Sequence, residues 1–190
     1  IVFTEGYLNG TESYGGAIYW NGDNGYVSNC TFTSNKVDNV AAGAIIWNGN
    51  SGTITNSSFT GNSAKSDGAV QWRGSSGSLL NCNFTSNNAR ITSGGAVGWY
   101  ADDGYIYNCI FKSNHANLMG GAFYSSFNDN LKIEQCVFDA NYETIAQGGG
   151  AINLFNVTGS IINSNFTNNY EYMIFNGYGG AIFWFTQTLF

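Results

Sequence analysis

Acid–base or metal chemistry in this sequence would fall to a small set of side chains: 12 Asp plus Glu, one His and four Cys. Hydrolysis or elimination on a polysaccharide needs two or three carboxylates, or a base beside calcium, on one surface. Here the carboxylates are scattered over different repeat positions. Asp102 and Asp103 are adjacent but have no basic partner in register, since Arg73 and Arg90 fall elsewhere in the repeat. The segments Asp23-Asn24-Gly25, Asp102-Asp103-Gly104 and Asn128-Asp129-Asn130 are fragments of a calcium loop. The same residue types are ordinary turn formers, which is the reading preferred here. His115 has no fixed partner and is expected at the surface. No C-x-x-C spacing suggests zinc. Neither an enzyme activity nor a cofactor is expected, with calcium in those loops as the one exception kept open.

Binding chemistry is better supplied, by aromatic and amide side chains. All five Trp share one repeat position: Trp20, Trp47, Trp72, Trp99 and Trp184. An outward Trp row would stack on sugars. Each Trp lies two residues after an aliphatic (Ile18, Ile45, Val70, Val97), so the pair shares a strand face and is expected in the core. The position between them faces outward and reads Tyr19, Ile46, Gln71, Gly98, Tyr124, Asn153, Phe183. Of these, Tyr19, Ile46, Tyr124 and Phe183 form the candidate contact face for glycan or protein.

Asn29, Asn56, Asn81, Asn108 and Asn163 recur three residues before a Phe, with Gln135 in the remaining copy. They are expected to stack as a ladder of side-chain amides at a left-handed bend. Asn35, Asn62, Asn87, Asn114, Asn141 and Asn169 are candidates for a second ladder. Six positions match Asn-x-Ser/Thr: Asn9, Asn29, Asn56, Asn83, Asn156 and Asn165. The ladder should block Asn29 and Asn56, whereas Asn83 and Asn165 should point outward as candidate glycosylation sites.

What positions these residues is a repeat. Gly-Gly-Ala-(Ile/Val) begins at Gly15, Gly94 and Gly179, with variants at Ala42, Asp67, Gly120 and Gly149. Phe-x-x-Asn begins at Phe32, Phe59, Phe84, Phe111, Phe138 and Phe166, in phase with the first motif and spaced by about 27 residues. An aliphatic column (Val27, Ile54, Leu79, Ile106, Ile133, Ile161) precedes the Asn. A small column (Cys30, Ser57, Cys82, Cys109, Cys136, Ser164) follows it, and its cysteines are expected as buried free thiols. There is no helical period, and short apolar alternations are broken by Gly, Asn and Asp. The period is too short for a propeller blade. Three short strands and three turns fit one coil of an all-β, right-handed, single-stranded parallel β-helix of about seven coils. Strands are expected at Ala17–Trp20, Tyr26–Ser28 and Cys30–Thr33. The lack of proline agrees, because stacked strands need every N–H.

Composition sets the surroundings. Charged residues are only 9% and the net charge is −6, so no basic stripe is available for nucleic acid or an anionic membrane. No apolar run is long enough to span a bilayer. Asn, Ser, Thr, Gly and Tyr solvate the surface instead, as in extracellular β-rich proteins.

Gly-Gly-Ala-Ile paired with Phe-x-x-Asn resembles the repeats of the chlamydial polymorphic outer-membrane proteins. The fuller coil, Gly15–Trp20 followed by Val27–Asn35, is more similar to the adhesin-like surface proteins of methanogenic archaea. The likeness covers about residues 14 to 185. It implies a β-helix displayed at the cell surface, a non-catalytic adhesin or stalk contacting a glycan or protein on another cell, and it carries over no catalytic residue. A polysaccharide lyase or hydrolase and a phage tail-spike segment are the alternatives. Residues 1–190 are read as one β-helix domain excerpted from a longer array, because neither end shows a polar cap. End-to-end self-association is expected for the same reason.

Overall fold

The computed structural model of the protein describes residues 1–10, 14–39, 42–145, 148–172 and 179–187. Residues 188–190, part of the C-terminal end read from the sequence as uncapped, lie outside these. The described residues contain strands and turns and no helix. In the first full coil the strands are Ile18–Trp20, Tyr26–Ser28 and Thr31–Thr33, the three expected from the sequence and each shorter or equal in length. The returning turn adds a two-residue strand, Lys36–Val37. Every strand pairs in parallel with its copy in the next coil, so like meets like: Ile18 with Ile45, Val27 with Ile54, Phe32 with Phe59. The result is a solenoid of about six turns. A seventh coil is represented by Ile182–Phe185.

In-register pairing turns each sequence column into a physical stack. The Phe rings from Phe3 to Phe166 lie face to face with centroids 4.6–4.9 Å apart. That spacing is the distance between hydrogen-bonded strands. Phe3 extends the stack one coil before the first Phe-x-x-Asn. The indoles of Trp20, Trp47, Trp72 and Trp99 stack likewise at 4.8–4.9 Å. Each donates its Nε1–H to a carbonyl two residues on, such as Gly49 at 3.0 Å, so no polar atom is stranded in the core. The loop glycine behind each indole is obligatory. A Cβ at Gly77 would lie 2.2 Å from Trp72 Nε1. Trp184, in the seventh coil, is 40% exposed.

Two coils lack Trp, and the structure shows how they compensate. Ser125 takes the Trp position and bonds through Oγ to the Trp99 carbonyl at 2.9 Å, and Asn128 donates to Ser125 Oγ at 2.7 Å. Leu131 and Val157 fill the volume, and Phe127 turns out to solvent. There the loop between the first two strands becomes strand itself, giving Phe123–Glu134 and Ile152–Ile162. These long strands join the first and second strand columns into one eleven-stranded sheet, beside two seven-stranded sheets.

A second, smaller buried layer lies outside the main core. The second glycine of each Gly-Gly corner lets the two-residue strand come close. A Cβ at Gly43 would sit 2.5 Å from Ser63 N, and one at Gly68 would sit 2.6 Å from Asn88 N. The returning turn then packs over the outer side of the first strand column. Val37, Ala64, Ala89 and Ala116 are buried there, with Ile46 and Gln71 beneath. Glu143 and Glu171 continue that Ala column in register.

Candidate functional site

Of the two Asn columns expected to form ladders, the second forms a continuous one and the first does not. Asn29, Asn56, Asn81, Asn108 and Asn163 do adopt left-handed backbones, with φ of 48–54°. That geometry swings their side chains to solvent, and all five are exposed. Among them a rung is made by Asn108 Nδ2 to Asn81 Oδ1 at 2.8 Å, while Asn29 turns to Ser28 Oγ. The sequons at Asn29 and Asn56 are therefore open, contrary to expectation. Asn83 and Asn165 are exposed, as expected.

The continuous ladder is the second column, from Asn35 to Asn169. Each Nδ2 donates to the Oδ1 of the next coil at 2.9–3.0 Å. The second Nδ2 hydrogen goes to a Phe carbonyl of the preceding coil, and the Oδ1 also accepts a backbone N–H. A buried amide with all bonds made stabilises, whereas one stranded group would cost ~1–3 kcal/mol. This column is structural.

The candidate aromatic face is not continuous. Tyr19 is 43% exposed, and Tyr124 and Phe183 are half-buried, but Ile46 is 0% exposed. The returning turn covers it, as it covers Gln71, Gly98 and Asn153 in the same column. Strand alternation alone assigned these positions outward and could not see the layer above them.

The open surface lies at the bend between the second and third strands. Asn29, Asn56 and Asn81 form one wall of a shallow groove of ≈ 440 Å³. Thr31, Ser58 and Asn83 form the other, and Cys30 and Ser57 the floor. Amide and hydroxyl groups thus repeat once per coil along the solenoid axis, at ~4.8 Å. The lining carries no formal charge. It can exchange several hydrogen bonds with an extended polyhydroxylated chain, and it holds no carboxylate to act as acid or base.

Several carboxylates elsewhere are engaged by neighbouring side chains or backbone. Lys132 and then Tyr105 hold Glu134 below the usual carboxylate range, with Lys132 Nζ at 2.6 Å. Asp38 is lowered by Lys36 and Tyr7, and Asp139 by Asn168 and Thr167. The loop aspartates staple neighbouring coils: Asp23 accepts from Asn50 N at 2.7 Å and Asp102 from Asp129 N at 2.8 Å. Asp103 accepts from Asn130 Nδ2. Among the described residues no three His, Cys, Asp or Glu side chains are grouped so as to hold a metal ion. His115 is half-buried, bonded to Asn88 and Thr144, and its pKa is lowered by burial. The four cysteines are free and buried, and burial raises the Cys109 thiol well above its usual range.

One ionisable group escaped the sequence reading. Asp67 stands where five sibling coils place Gly and one places Ala42, and it is fully buried. Gln71 Nε2 donates to it at 2.6 Å and the Tyr100 hydroxyl at 3.1 Å. Burial dominates these bonds and pushes its pKa up to about 7. The available signal was Gly98 in the outward column: a Cβ there would lie 2.0 Å from Asp67 Oδ1.

A family model described as right handed beta helix region matches residues 16–190. No curated protein and no solved structure matches the chain.

Proposed function

The chain belongs to the family of right-handed β-helix regions, and from that premise we propose that it is a non-catalytic module of an extracellular surface protein, an adhesin or stalk whose bend groove contacts glycan on a neighbouring cell. The family fold serves adhesins, polysaccharide-active enzymes and tail spikes alike, so the surface must distinguish them. The observation that carries the reading is the groove: a register of amide and hydroxyl groups with no carboxylate in its lining. An enzyme of this shape would need an acid and a base within reach of one sugar bond. The likeness of the Gly-Gly-Ala-Ile and Phe-x-x-Asn repeats to archaeal and chlamydial surface proteins supports the same choice and the location outside the cell.

A glycan array probed with the 190-residue chain tests the reading. Binding to a set of extended neutral glycans is expected, weakened several-fold when Asn56→Asp and Ser58→Asp place charge in the groove. Release of reducing ends or of unsaturated sugars from any bound glycan would overturn it in favour of a lyase or hydrolase.

A further inference from the structure

The amide wall of the bend groove runs on past the three coils that line it. Asn108, Gln135 and Asn163 continue it, each exposed at a left-handed φ of 49–54°. Asn108 Nδ2 donates to Asn81 Oδ1 at 2.8 Å, which joins the new stretch to the old. The opposite wall continues too, but it changes character. Its positions pair in register from coil to coil: Thr31 with Ser58, Ser58 with Asn83, Asn83 with Ile110, Ile110 with Val137, and Val137 with Asn165. Three polar residues are thus followed by two aliphatic ones and then by an amide. Ile110 is 44% exposed and Val137 is half-buried. A single exposed aliphatic needs no explanation. Two in successive coils, set ~4.8 Å apart against a row of amides, make one side of the groove apolar and the other polar. In the next outward rank Lys112 Nζ lies 3.7 Å from Asp139, whose carboxylate also accepts from Thr167 and Asn168, so the charges there offset each other.

This pattern narrows the ligand. An extended neutral glycan can satisfy the amide wall through its hydroxyls. Without substituents it would set hydroxyl groups against Ile110 and Val137 and gain nothing from their apolar surface. An acetamido substituent suits both walls. Its N–H and C=O pair with side-chain amides, and its methyl covers aliphatic surface. A carboxylated sugar would meet a lysine already paired with Asp139. We propose that the groove continues over Ile110 and Val137 as a subsite for N-acetylated sugars, so that its preferred ligand is an extended neutral glycan carrying acetamido groups. The inference rests on the bend groove being the glycan-contact surface, and it adds which glycan that surface selects.

The test compares two hexasaccharides of the same β-1,4 linkage, one of N-acetylglucosamine and one of glucose, by calorimetry on the 190-residue chain. The acetylated one is expected to bind about tenfold more tightly, the effect of burying one or two methyl groups. Ile110→Thr with Val137→Ser gives these two positions the residue types of Thr31 and Ser58 in the same rank. That variant should fold, shown by an unchanged far-ultraviolet spectrum, and its preference for the acetylated chain should shrink to about twofold or less. Equal binding of the two hexasaccharides by the native chain, or binding of the glucose one alone, would overturn the inference and leave the groove reading in place. A preference that survives in the double variant would overturn it as well, by placing the acetyl contact elsewhere. Binding of neither would overturn both this inference and the groove reading beneath it.

Discussion

At the scale of single residues, substitutions within an otherwise constant column carry the most information. Asp67 is one. Its carboxyl is raised to about 7 in the fold against 3.8 ordinarily, and Tyr100 and Arg73 are the ionisable groups that face it. The folded state therefore holds the proton more tightly than the unfolded chain. The stabilisation is complete below pH ~4 and is lost as the pH rises from ~4 to ~7. A shift of this size corresponds to about 4 kcal/mol at most. Asp67→Gly restores the residue of Gly94 and Gly120 at a backbone φ of 48° that glycine accepts. The variant should show a flatter stability profile between pH 4 and 7 than the native chain, measured by thermal unfolding. Parallel profiles would show that Asp67 does not titrate as described. The Asn columns show where reading from sequence stops at this scale. Both repeat with the same regularity, and only the sign of φ decides which faces inward. Asn29 and its equivalents are left-handed and turn out, whereas Asn35 and its equivalents do not appear among the positive-φ residues and turn into the corner.

At the scale of elements, the three main strands were legible because Phe, Trp and the aliphatic column recur in phase and alternation sets their faces. The two-residue strands were not. Pairs such as Ser63-Ala64 and Asn88-Ala89 are too short and polar to show a period, so the layer they build over Ile46 was invisible. Ile46 drops out of the candidate contact face for that reason, and an open groove lies instead at the bend between the second and third strands. The loops after the Trp strands offer a direct test of packing. A Cβ at Gly77 meets Trp72 Nε1 at 2.2 Å, whereas one at Gly22 meets Trp20 Nε1 at an ordinary 3.7 Å. Gly77→Ala should lower stability by ~1–3 kcal/mol through overpacking and shift the Trp emission, while Gly22→Ala should do neither. Similar behaviour of the two variants in denaturant titration would remove the indole loops from the account of the core.

At the scale of the whole molecule, coils, sheets and stacks are one object seen in different directions. The Phe rings and the Asn amides both run along the solenoid axis, and so do the bonds between coils. Neighbouring coils are held together by the backbone bonds, an amide rung and a Phe ring contact, joined by a Trp contact from Trp20 to Trp99, with a period of 27 residues in most of the length. The interior ladder has a mechanical consequence. A pull applied to one chain end loads the rungs one after another, so the solenoid should yield like a zip. Each coil released adds about 90 Å of slack chain. Single-molecule stretching should record a sawtooth of near-equal steps of that size, and a single rupture of the whole chain would contradict it. A tether built this way absorbs shear in small instalments, and on relaxation each coil finds its template already waiting below it.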